Sequence, residues 1–286
     1  MAVAFVTGTS TGIGLATAVT LARAGHTTYA TMRNPESGGV AIREIAGRED
    51  LPITVLGVDV DDDASVRDGV AQAIAGSGRI DVLVNNAGVA VSGSVEELPL
   101  SEFRRIMETN FFGALRCIQA VLPAMRERRS GCIVNVTSVS GRMASSPQAA
   151  YAASKFALEA ASEALAQEMK AFGVRVAIVE PGVIATPIFD KMGEVKSRHY
   201  PHERRSRAIF AAILKNPVSP YLVGEAIRRI AESDSWQLRY PVGPDAAPLL
   251  AWRAAMSDED WVSGSAISDD EWVARIKRDF GLDIEL

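Results

Sequence analysis

The chain has 286 residues, of which 48 % are hydrophobic and 23 % are charged, and its formal net charge is -5. This composition is that of a compact globular protein and excludes a disordered chain. The acidic balance, with a pI near 5.4, argues against a surface that binds nucleic acid. Neither a signal peptide nor an apolar stretch long enough to cross a bilayer is visible, so we expect a cytoplasmic protein without membrane insertion.

Short β-branched runs alternate with longer helical patterns through about the first 240 residues. This alternation predicts an α/β fold, a Rossmann-like doubly wound parallel sheet of about seven strands with helices on both faces. The predicted strands are Ala4–Thr7, Thr27–Thr31, Ile53–Val58, Val82–Asn85, Cys132–Val136, Arg175–Val179 and Leu238–Val242. The predicted helices between them are Gly14–Ala24, Ala64–Ala75, Ser101–Arg128 and Tyr151–Phe172.

The first predicted strand leads directly into a glycine-rich turn, Thr7-Gly8-Thr9-Ser10-Thr11-Gly12-Ile13-Gly14, and then into a helix. Gly8 permits a tight turn, whereas Gly12 and Gly14 leave room for a diphosphate and for close packing of helix on strand. The helix N-terminus offers free N–H donors to an anion. The spacing Gly-x-x-x-Gly-x-Gly differs from the common dinucleotide fingerprint, so the glycines alone are a weak signal.

Tyr151 and Lys155 stand four residues apart on a predicted helix and therefore project from the same face. A phenol is a poor proton donor or acceptor at neutral pH unless a nearby positive charge lowers its pKa. An ammonium ~4 Å away at an effective dielectric of ~20 supplies about 4 kcal/mol, enough to lower that pKa by about 3 units. Ser138 follows a predicted strand, at the sheet edge where ligands of such folds bind.

After Pro181-Gly182 the regular alternation ends. Residues 183–218 are expected to form a loop with short helices that shapes the substrate pocket, together with Val89–Gly93 and Arg142–Ser146. The basic run Arg198–Arg205 is interpreted as a solvated face, with recognition of an anionic substrate group as the alternative. Ser219-Pro220 predicts the N-cap and first residue of a helix that ends near Glu232.

Residues 244–286 form a tail with three tryptophans, Trp252, Trp261 and Trp272. Ser268 and Glu271 have the spacing of a capping box that opens a last helix. We therefore expect residues 1–243 to form the dinucleotide-binding and catalytic domain, and 244–286 to be a helical extension packed on it. Cys117 and Cys132 fit neither a metal site nor a disulfide framework, and we expect both to be buried.

Several motifs together resemble the short-chain dehydrogenase/reductase family of nicotinamide-dependent oxidoreductases, over about 240 residues. The matching pieces are Thr7 to Gly14, Asp59-Val60, Asn85 to Gly88, Asn110, Ser138, Tyr151 with Lys155, and Pro181-Gly182 followed by Thr186. The stretch Ala30-Thr31-Met32-Arg33-Asn34-Pro35 resembles hydroxysteroid and retinol dehydrogenase-like members. The resemblance implies an enzyme that transfers a hydride between nicotinamide and a ketone, an aldehyde or a secondary alcohol.

The resemblance also implies a role for each matching residue. Ser138 would hold the substrate oxygen, Tyr151 would pass the proton, and Lys155 would bind the nicotinamide ribose and lower the phenol's pKa. Asn110 would hold a water that relays protons from Lys155. The implied cofactor-binding residues are Gly8, Ser10, Thr11, Gly12, Ile13, Gly14, Arg33, Asp59, Val60, Asn86, Ala87, Gly88, Tyr151, Lys155, Pro181, Gly182, Ile184 and Thr186.

The residues after the second strand predict a preference for NADP(H) over NAD(H). An NAD site usually has an acidic residue about 20 residues beyond the glycines. Here Thr31 takes that place and Arg33 follows, so a guanidinium can pair with the 2′-phosphate, with Ser10 or Thr11 adding a hydroxyl.

Two other functions stay open at this point: an epimerase or dehydratase of related fold, and a non-catalytic protein that senses a dinucleotide. The complete set of Asn110, Ser138, Tyr151 and Lys155 favours the oxidoreductase. Valine, methionine and alanine in the expected pocket favour a lipophilic substrate. The family often pairs its two long helices across a two-fold axis, so we expect a homodimer or homotetramer.

Overall fold

The computed structural model describes residues 1–190, 192–194, 197 and 199–286. Within them a seven-stranded parallel sheet has the strand order β3-β2-β1-β4-β6-β7-β9. The strands are β1 Val3–Thr7, β2 Thr27–Met32, β3 Ile53–Gly57, β4 Val82–Asn85, β6 Gly131–Val136, β7 Val174–Pro181 and β9 Arg239–Val242. The predicted Rossmann-like sheet is therefore confirmed.

The order of the strands fixes the place of the functional site. The chain runs outward through β1, β2 and β3, then returns to the other side of β1 with β4 and continues to β9. In open parallel sheets, ligands bind at the carboxyl ends of the strands where the order reverses. That point lies between β1 and β4, and both strands are buried apolar runs with core clusters on either face.

Helices cover both faces of the sheet. Their bounds are α1 Gly12–Arg23, α2 Pro35–Gly38, α3 Val40–Glu49, α4 Asp63–Ser77, α5 Leu100–Met107, α6 Gly113–Arg128, α7 Ala149–Lys170, α8 His202–Ile213, α9 Tyr221–Glu232, α10 Ala246–Ala254, α11 Asp258–Ser263 and α12 Asp269–Phe280. A further two-stranded sheet pairs β5 Val91–Ser92 with β8 Gly193–Glu194. None of the helices in the described part of the chain combines the length and apolar character needed to cross a bilayer.

The structure corrects three sequence predictions about helices. The helices α2 and α3 were not predicted. The predicted helix Ser101–Arg128 is interrupted by a π-helical turn, Glu108–Phe112, between α5 and α6. The helix α9 begins at Tyr221, and its N-cap is Pro220 instead of the predicted Ser219. Ser219 lies one residue earlier, where its hydroxyl accepts a hydrogen bond from the Tyr221 N–H.

Other predicted local features are confirmed. The capping box of Ser268 and Glu271 opens α12. Cys117 and Cys132 are free and buried, and burial raises the pKa of their thiols to about 12 and about 11. These thiols are therefore protonated at neutral pH and behave as small apolar side chains.

The packing of α9 on α1 gives a prediction with two matched glycines. A methyl group on Gly224 would lie 2.9 Å from the Thr20 Oγ1 and 3.1 Å from the Ala16 carbonyl oxygen, whereas one on Gly47 in α3 would meet nothing within 4 Å. Alanine gains roughly 0.5–1 kcal/mol over glycine within a helix. We expect Gly47→Ala to stabilise the protein by about that amount and Gly224→Ala to destabilise it, as measured by urea unfolding. Equal effects of the two substitutions would contradict this packing.

Candidate active site

The glycine turn after β1 is pressed against the loop after β4. Gly8 has a left-handed φ of 70°, and a Cβ there would lie 2.7 Å from the Ala87 Cα. A Cβ on Gly14 would lie 2.3 Å from the Gly8 carbonyl oxygen and 2.4 Å from the Asn86 amide nitrogen. No side chain fits at either position, so the turn keeps its backbone N–H groups open to an approaching anion.

Hydrogen bonds hold these two loops together. The Thr7 hydroxyl accepts hydrogen bonds from the backbone N–H groups of Asn86 and Ala87, each at 3.0 Å. In return, the Asn86 side-chain amide donates to the carbonyl oxygens of Thr7 and Gly8. Asn85 donates to Asn135 on the neighbouring strand β6. The carboxyl ends of β1, β4 and β6 are thus tied into one floor.

A cleft of about 810 Å³ opens over this floor. It is lined by every residue that the sequence predicted for the cofactor except Gly14, which is buried beneath the turn. Lining residues that the sequence analysis missed include Ser37, Glu44, Arg105, Thr109, Val139 and Gln148. Most of them carry no sequence signal for this role, because tertiary packing brings them to the cleft from several helices and loops.

At one end of the cleft, the residues following β2 determine the charge. The Thr31 hydroxyl points inward and donates to the Val6 carbonyl oxygen. Arg33 is exposed on the rim and makes no hydrogen bond or salt bridge within the described residues. Asp61 lies near it; burial raises the pKa of Asp61, and the charge of Arg33 partly opposes that rise. A free guanidinium therefore faces this end of the cleft.

At the other end stand Ser138 and Tyr151. Ser138 caps a short 3-10 turn, Val139–Gly141, and its hydroxyl accepts from the Ser140 N–H at 3.1 Å. Burial raises the pKa of the Tyr151 phenol, and a hydrogen bond with Ser138 partly opposes this. The two hydroxyl groups therefore face one point of the cleft, and the phenol is protonated at neutral pH.

Lys155 lies one turn after Tyr151 and is buried. Its Nζ donates to the Val136 carbonyl oxygen at 2.9 Å and lies 5.7 Å from the centre of the Tyr151 ring. Burial lowers the pKa of Lys155 to about 8, against an opposing effect of Glu159. The predicted lowering of the Tyr151 pKa by Lys155 is not seen in this arrangement, because desolvation of the phenol dominates.

Asn110 sits in the π-helical turn and is 1 % exposed. Its Oδ1 accepts from the Val89 N–H at 2.8 Å, and its Nδ2 donates to the Val89 carbonyl oxygen and to Ser154. A π-turn in a helix is common at functional sites. It places Asn110 close to Lys155, since a Cβ on Gly88 would be 3.3 Å from the Asn110 Oδ1 and 3.7 Å from the Lys155 Nζ.

An apolar wall continues the cleft beyond Tyr151. It is formed by Val89, Ala90, Val183, Pro187, Ile188, Phe189, Met192 and Phe210. Phe189 and Phe210 contact each other with their rings tilted by 48° and their ring centres 5.1 Å apart. Residues 142–146 are not among the residues that line this cleft, and Arg142 pairs with Glu180, so their predicted contribution to the substrate pocket stays a prediction.

Phe210 belongs to α8, which is held by the carboxyl-terminal helices. Arg205 is 5 % exposed and donates to Asp269 and to the carbonyl oxygens of Ser265 and Ile267. Arg204 also pairs with Asp269. The interpretation of the basic run as a solvated face is therefore wrong for Arg205; Arg198 lies outside the described residues.

The tryptophans of the tail pack among themselves and against arginines. Trp252 contacts Trp261 and Phe280 edge to face, and Arg275 lies over its ring. Trp272 packs with Ile276, Phe280 and Leu282 against one face of α8. Among the described residues, the tail contacts the substrate wall through α8 and also through Asp245, whose carboxylate accepts a hydrogen bond from the Val183 N–H at 2.8 Å.

Comparison with known proteins agrees with this geometry. A family-wide profile described as short chain dehydrogenase matches residues 2–197. The chain belongs to the short-chain dehydrogenase/reductase family. It is therefore an oxidoreductase, and the fold of this family is one that binds a nicotinamide dinucleotide.

Three similar proteins illustrate the range of this family. A 3-ketodihydrosphingosine reductase of Bacteroides thetaiotaomicron is 37 % identical over 251 residues, 86 % of this chain and 89 % of that protein. Human retinol dehydrogenase 8 is 37 % identical over 272 residues, 88 % of this chain and 85 % of that one. A crystal structure of a short-chain dehydrogenase from Streptomyces avermitilis matches with a TM-score of 0.79 and 33 % identity, over 97 % of both chains.

The link between α8 and the tail can be tested in this short-chain dehydrogenase with two adjacent acids. Asp269 and Asp270 both lie in the first turn of α12, but only Asp269 pairs with Arg204 and Arg205. We expect Asp269→Asn to accelerate amide hydrogen exchange in α8 by roughly tenfold, because a buried charged hydrogen bond is lost. Asp270→Asn should leave the exchange unchanged. Equal protection of α8 in both variants would show that the tail does not hold this helix.

Proposed function

We propose that this protein is an NADP(H)-dependent oxidoreductase that acts on a lipophilic ketone, aldehyde or secondary alcohol. The observation that carries the proposal is one continuous cleft with two chemically distinct ends. A glycine turn and a free arginine stand at one end, and Ser138, Tyr151 and Lys155 stand at the other. The shape of the turn fits a diphosphate, since a Cβ at Gly8 would meet the opposite loop.

The bound nicotinamide would supply or accept the hydride; the residues of the chain position the partners and move the proton. Tyr151 would donate its proton to the carbonyl oxygen in reduction, and Ser138 would hold that oxygen in place. Burial raises the pKa of Tyr151, so the phenol is protonated at neutral pH and has a proton to give, although the raised pKa makes it a weaker acid. Oxidation of an alcohol would run through the same residues in reverse.

Lys155 would bind the nicotinamide ribose through its ammonium group. Pro181 and Gly182 would lie beside the ring, and Ile184 and Thr186 would meet its carboxamide. On the adenosine side, Asp59 would bind the adenine, with Val60 and the segment Asn86–Gly88 alongside. Asn110 would hold the water that connects Lys155 to solvent.

The proposed preference for NADP(H) rests on Arg33. Its guanidinium is exposed at the cleft and has no hydrogen bond or salt bridge with the described residues, so it is available to a phosphate. Thr31 occupies the position where an NAD site usually has an acid, and its hydroxyl donates to the Val6 carbonyl oxygen.

The apolar wall beyond Tyr151 supports a lipophilic substrate. The names of two similar proteins refer to ketodihydrosphingosine and to retinol, and both molecules have a long apolar part. We further propose a cytoplasmic homo-oligomer in which α6 and α7 face a second copy. Phe112 and Phe156 are 43 % and 42 % exposed beside and on these helices, which supports such a contact.

The proton donor gives the first test of this proposal. Tyr151→Phe should reduce turnover by about 10²–10⁴-fold, because only the acid is lost. Turnover would be followed at 340 nm with NADPH and a panel of ketones and aldehydes, and NADPH binding by fluorescence should be nearly unchanged. Tyr221→Phe is the control, since Tyr221 packs against Arg23 away from the cleft. Near-normal turnover of Tyr151→Phe would refute the mechanism.

The cofactor preference gives the second test. Arg33→Ala should weaken NADPH binding by roughly 10- to 100-fold, the effect of losing a charged hydrogen bond, and leave NADH binding unchanged. The matched control is Arg43→Ala, since Arg43 is exposed on α3, donates to the Pro35 carbonyl oxygen and does not line the cleft. If NADPH and NADH bind equally well to the unmodified protein, Arg33 has no such role.

A further inference from the structure

Two buried carboxylates lie behind the catalytic residues, and the proposed mechanism uses neither of them. Glu159 is one turn after Lys155 on α7 and is 4 % exposed. Glu180 ends the apolar run of β7, immediately before Pro181, and is fully buried. Acids are almost never buried to this extent unless they are paired with other groups, so their partners reveal what they do.

Glu159 connects the two elements that carry the catalytic groups. Its Oε1 accepts a hydrogen bond from the Thr137 hydroxyl at 2.7 Å, and Thr137 directly precedes Ser138. Its Cγ would lie 3.0 Å from a Cβ on Gly141, so the 3-10 turn that follows Ser138 packs directly on this side chain. The carboxylate therefore ties the Ser138 turn to the helix that carries Tyr151 and Lys155.

The remaining oxygen of Glu159 faces an arginine. Arg239 on β9 donates to its Oε2 at 3.0 Å, and the same guanidinium reaches the half-exposed Glu163. The Arg239 Nε also lies 3.7 Å from the Glu180 Oε1, to which Arg142 donates at 3.2 Å. The second oxygen of Glu180 has no hydrogen-bond partner among the described residues, and burial, followed by the charge of Glu159, raises the pKa of Glu180.

The charged groups that include and surround Glu159, one helical turn from Lys155, come from four elements. They are Glu159 and Glu163 on α7, Glu180 on β7, Arg142 after the 3-10 turn and Arg239 on β9. Tyr151 is a titratable group beside Lys155 itself, and Asn110 and Val136 supply neutral polar atoms near the Lys155 ammonium. Of the acids, Glu159 is the one whose charge acts on Lys155 against the cost of burial.

From this arrangement we propose that Glu159 is a positioning residue of the active site, which fixes the Ser138 turn through Thr137 and keeps the buried Lys155 in its ammonium form. The inference rests on the proposed function of Lys155 as a cation, and it assigns to Glu159 the role of its counter-charge. Glu180 and Arg239 hold the carboxylate in place.

The counter-charge can be measured without cofactor or substrate. The chain has only six lysines, so the protein labelled with ¹³C-lysine gives few side-chain signals, and Lys155→Met identifies that of Lys155. In the unmodified protein we expect this signal to titrate near pH 8. In Glu159→Gln the midpoint should fall by roughly one pH unit, because an opposite charge is removed. An unchanged midpoint in a folded variant would overturn the proposal.

Glu163→Gln is the matched control. Glu163 is on the same helix and binds the same arginine, but its side chain is half-exposed and its charge is not among those that act on Lys155. Its substitution should leave the Lys155 midpoint in place. An equal fall in both variants would show that any acid on this helix affects Lys155, and it would refute a specific role of Glu159. If Glu159→Gln does not fold, Arg239→Gln provides a second variant for the same titration. It removes the cation that faces Glu159, so the midpoint should rise, and a midpoint that stays or falls would refute the proposal.

Thr137→Val tests the positioning role separately. It removes the hydroxyl that binds Glu159 and keeps every charge, so the Lys155 midpoint should stay the same. Turnover should fall by roughly five- to tenfold, the effect of one orienting hydrogen bond, with NADPH binding unchanged. Full turnover would contradict the proposed positioning role of the hydrogen bond between Thr137 and Glu159. The titration is measured without turnover, so the two proposals can fail separately. An unshifted midpoint in Glu159→Gln would contradict the role of Glu159, whereas normal turnover of Tyr151→Phe would contradict the proposed function.

Discussion

The burial of one ammonium group is the constraint on which the active centre depends. Lys155 is almost fully removed from water, which disfavours its charge and lowers its pKa to about 8. The protein opposes this with a backbone carbonyl from β6 and a carboxylate one helical turn away. Those groups are supplied by strands and a helix that must pack closely, so the chemistry at the cleft depends on the accuracy of the fold behind it.

Much of the fold could be predicted because buried parallel strands are continuous apolar runs, and such runs are visible in the sequence. The short helices α2 and α3 were missed because the segment after Arg33 contains proline and paired glycines, Gly38-Gly39, which usually indicate a loop. The π-turn at Asn110 was also missed. It depends on a hydrogen bond to Val89, which is distant in sequence.

The sequence predicted which residues form the candidate site, but it did not predict the groups that surround them. Family motifs place Ser138, Tyr151 and Lys155, and the structure brings them to one cleft. The pKa of Tyr151 could not be predicted from the spacing alone, because desolvation depends on the packing around the ring. Glu159 and Glu180 carry no motif. A signal was nevertheless present, since Glu180 ends an otherwise apolar strand sequence, where a carboxylate needs a partner.

The attachment of α8 to the last helices separates two properties of the enzyme. The glycine turn, Ser138, Tyr151 and Lys155 all lie within the first 182 residues, whereas Phe210 lies on α8, which Arg205 ties to Ser265, Ile267 and Asp269. Variation near the end of the chain can therefore alter which molecules enter while the redox machinery stays intact. Related enzymes that diverge in this way would keep a common reaction and differ in their substrates. A fusion or truncation at this terminus would change substrate selectivity before it changed the redox reaction.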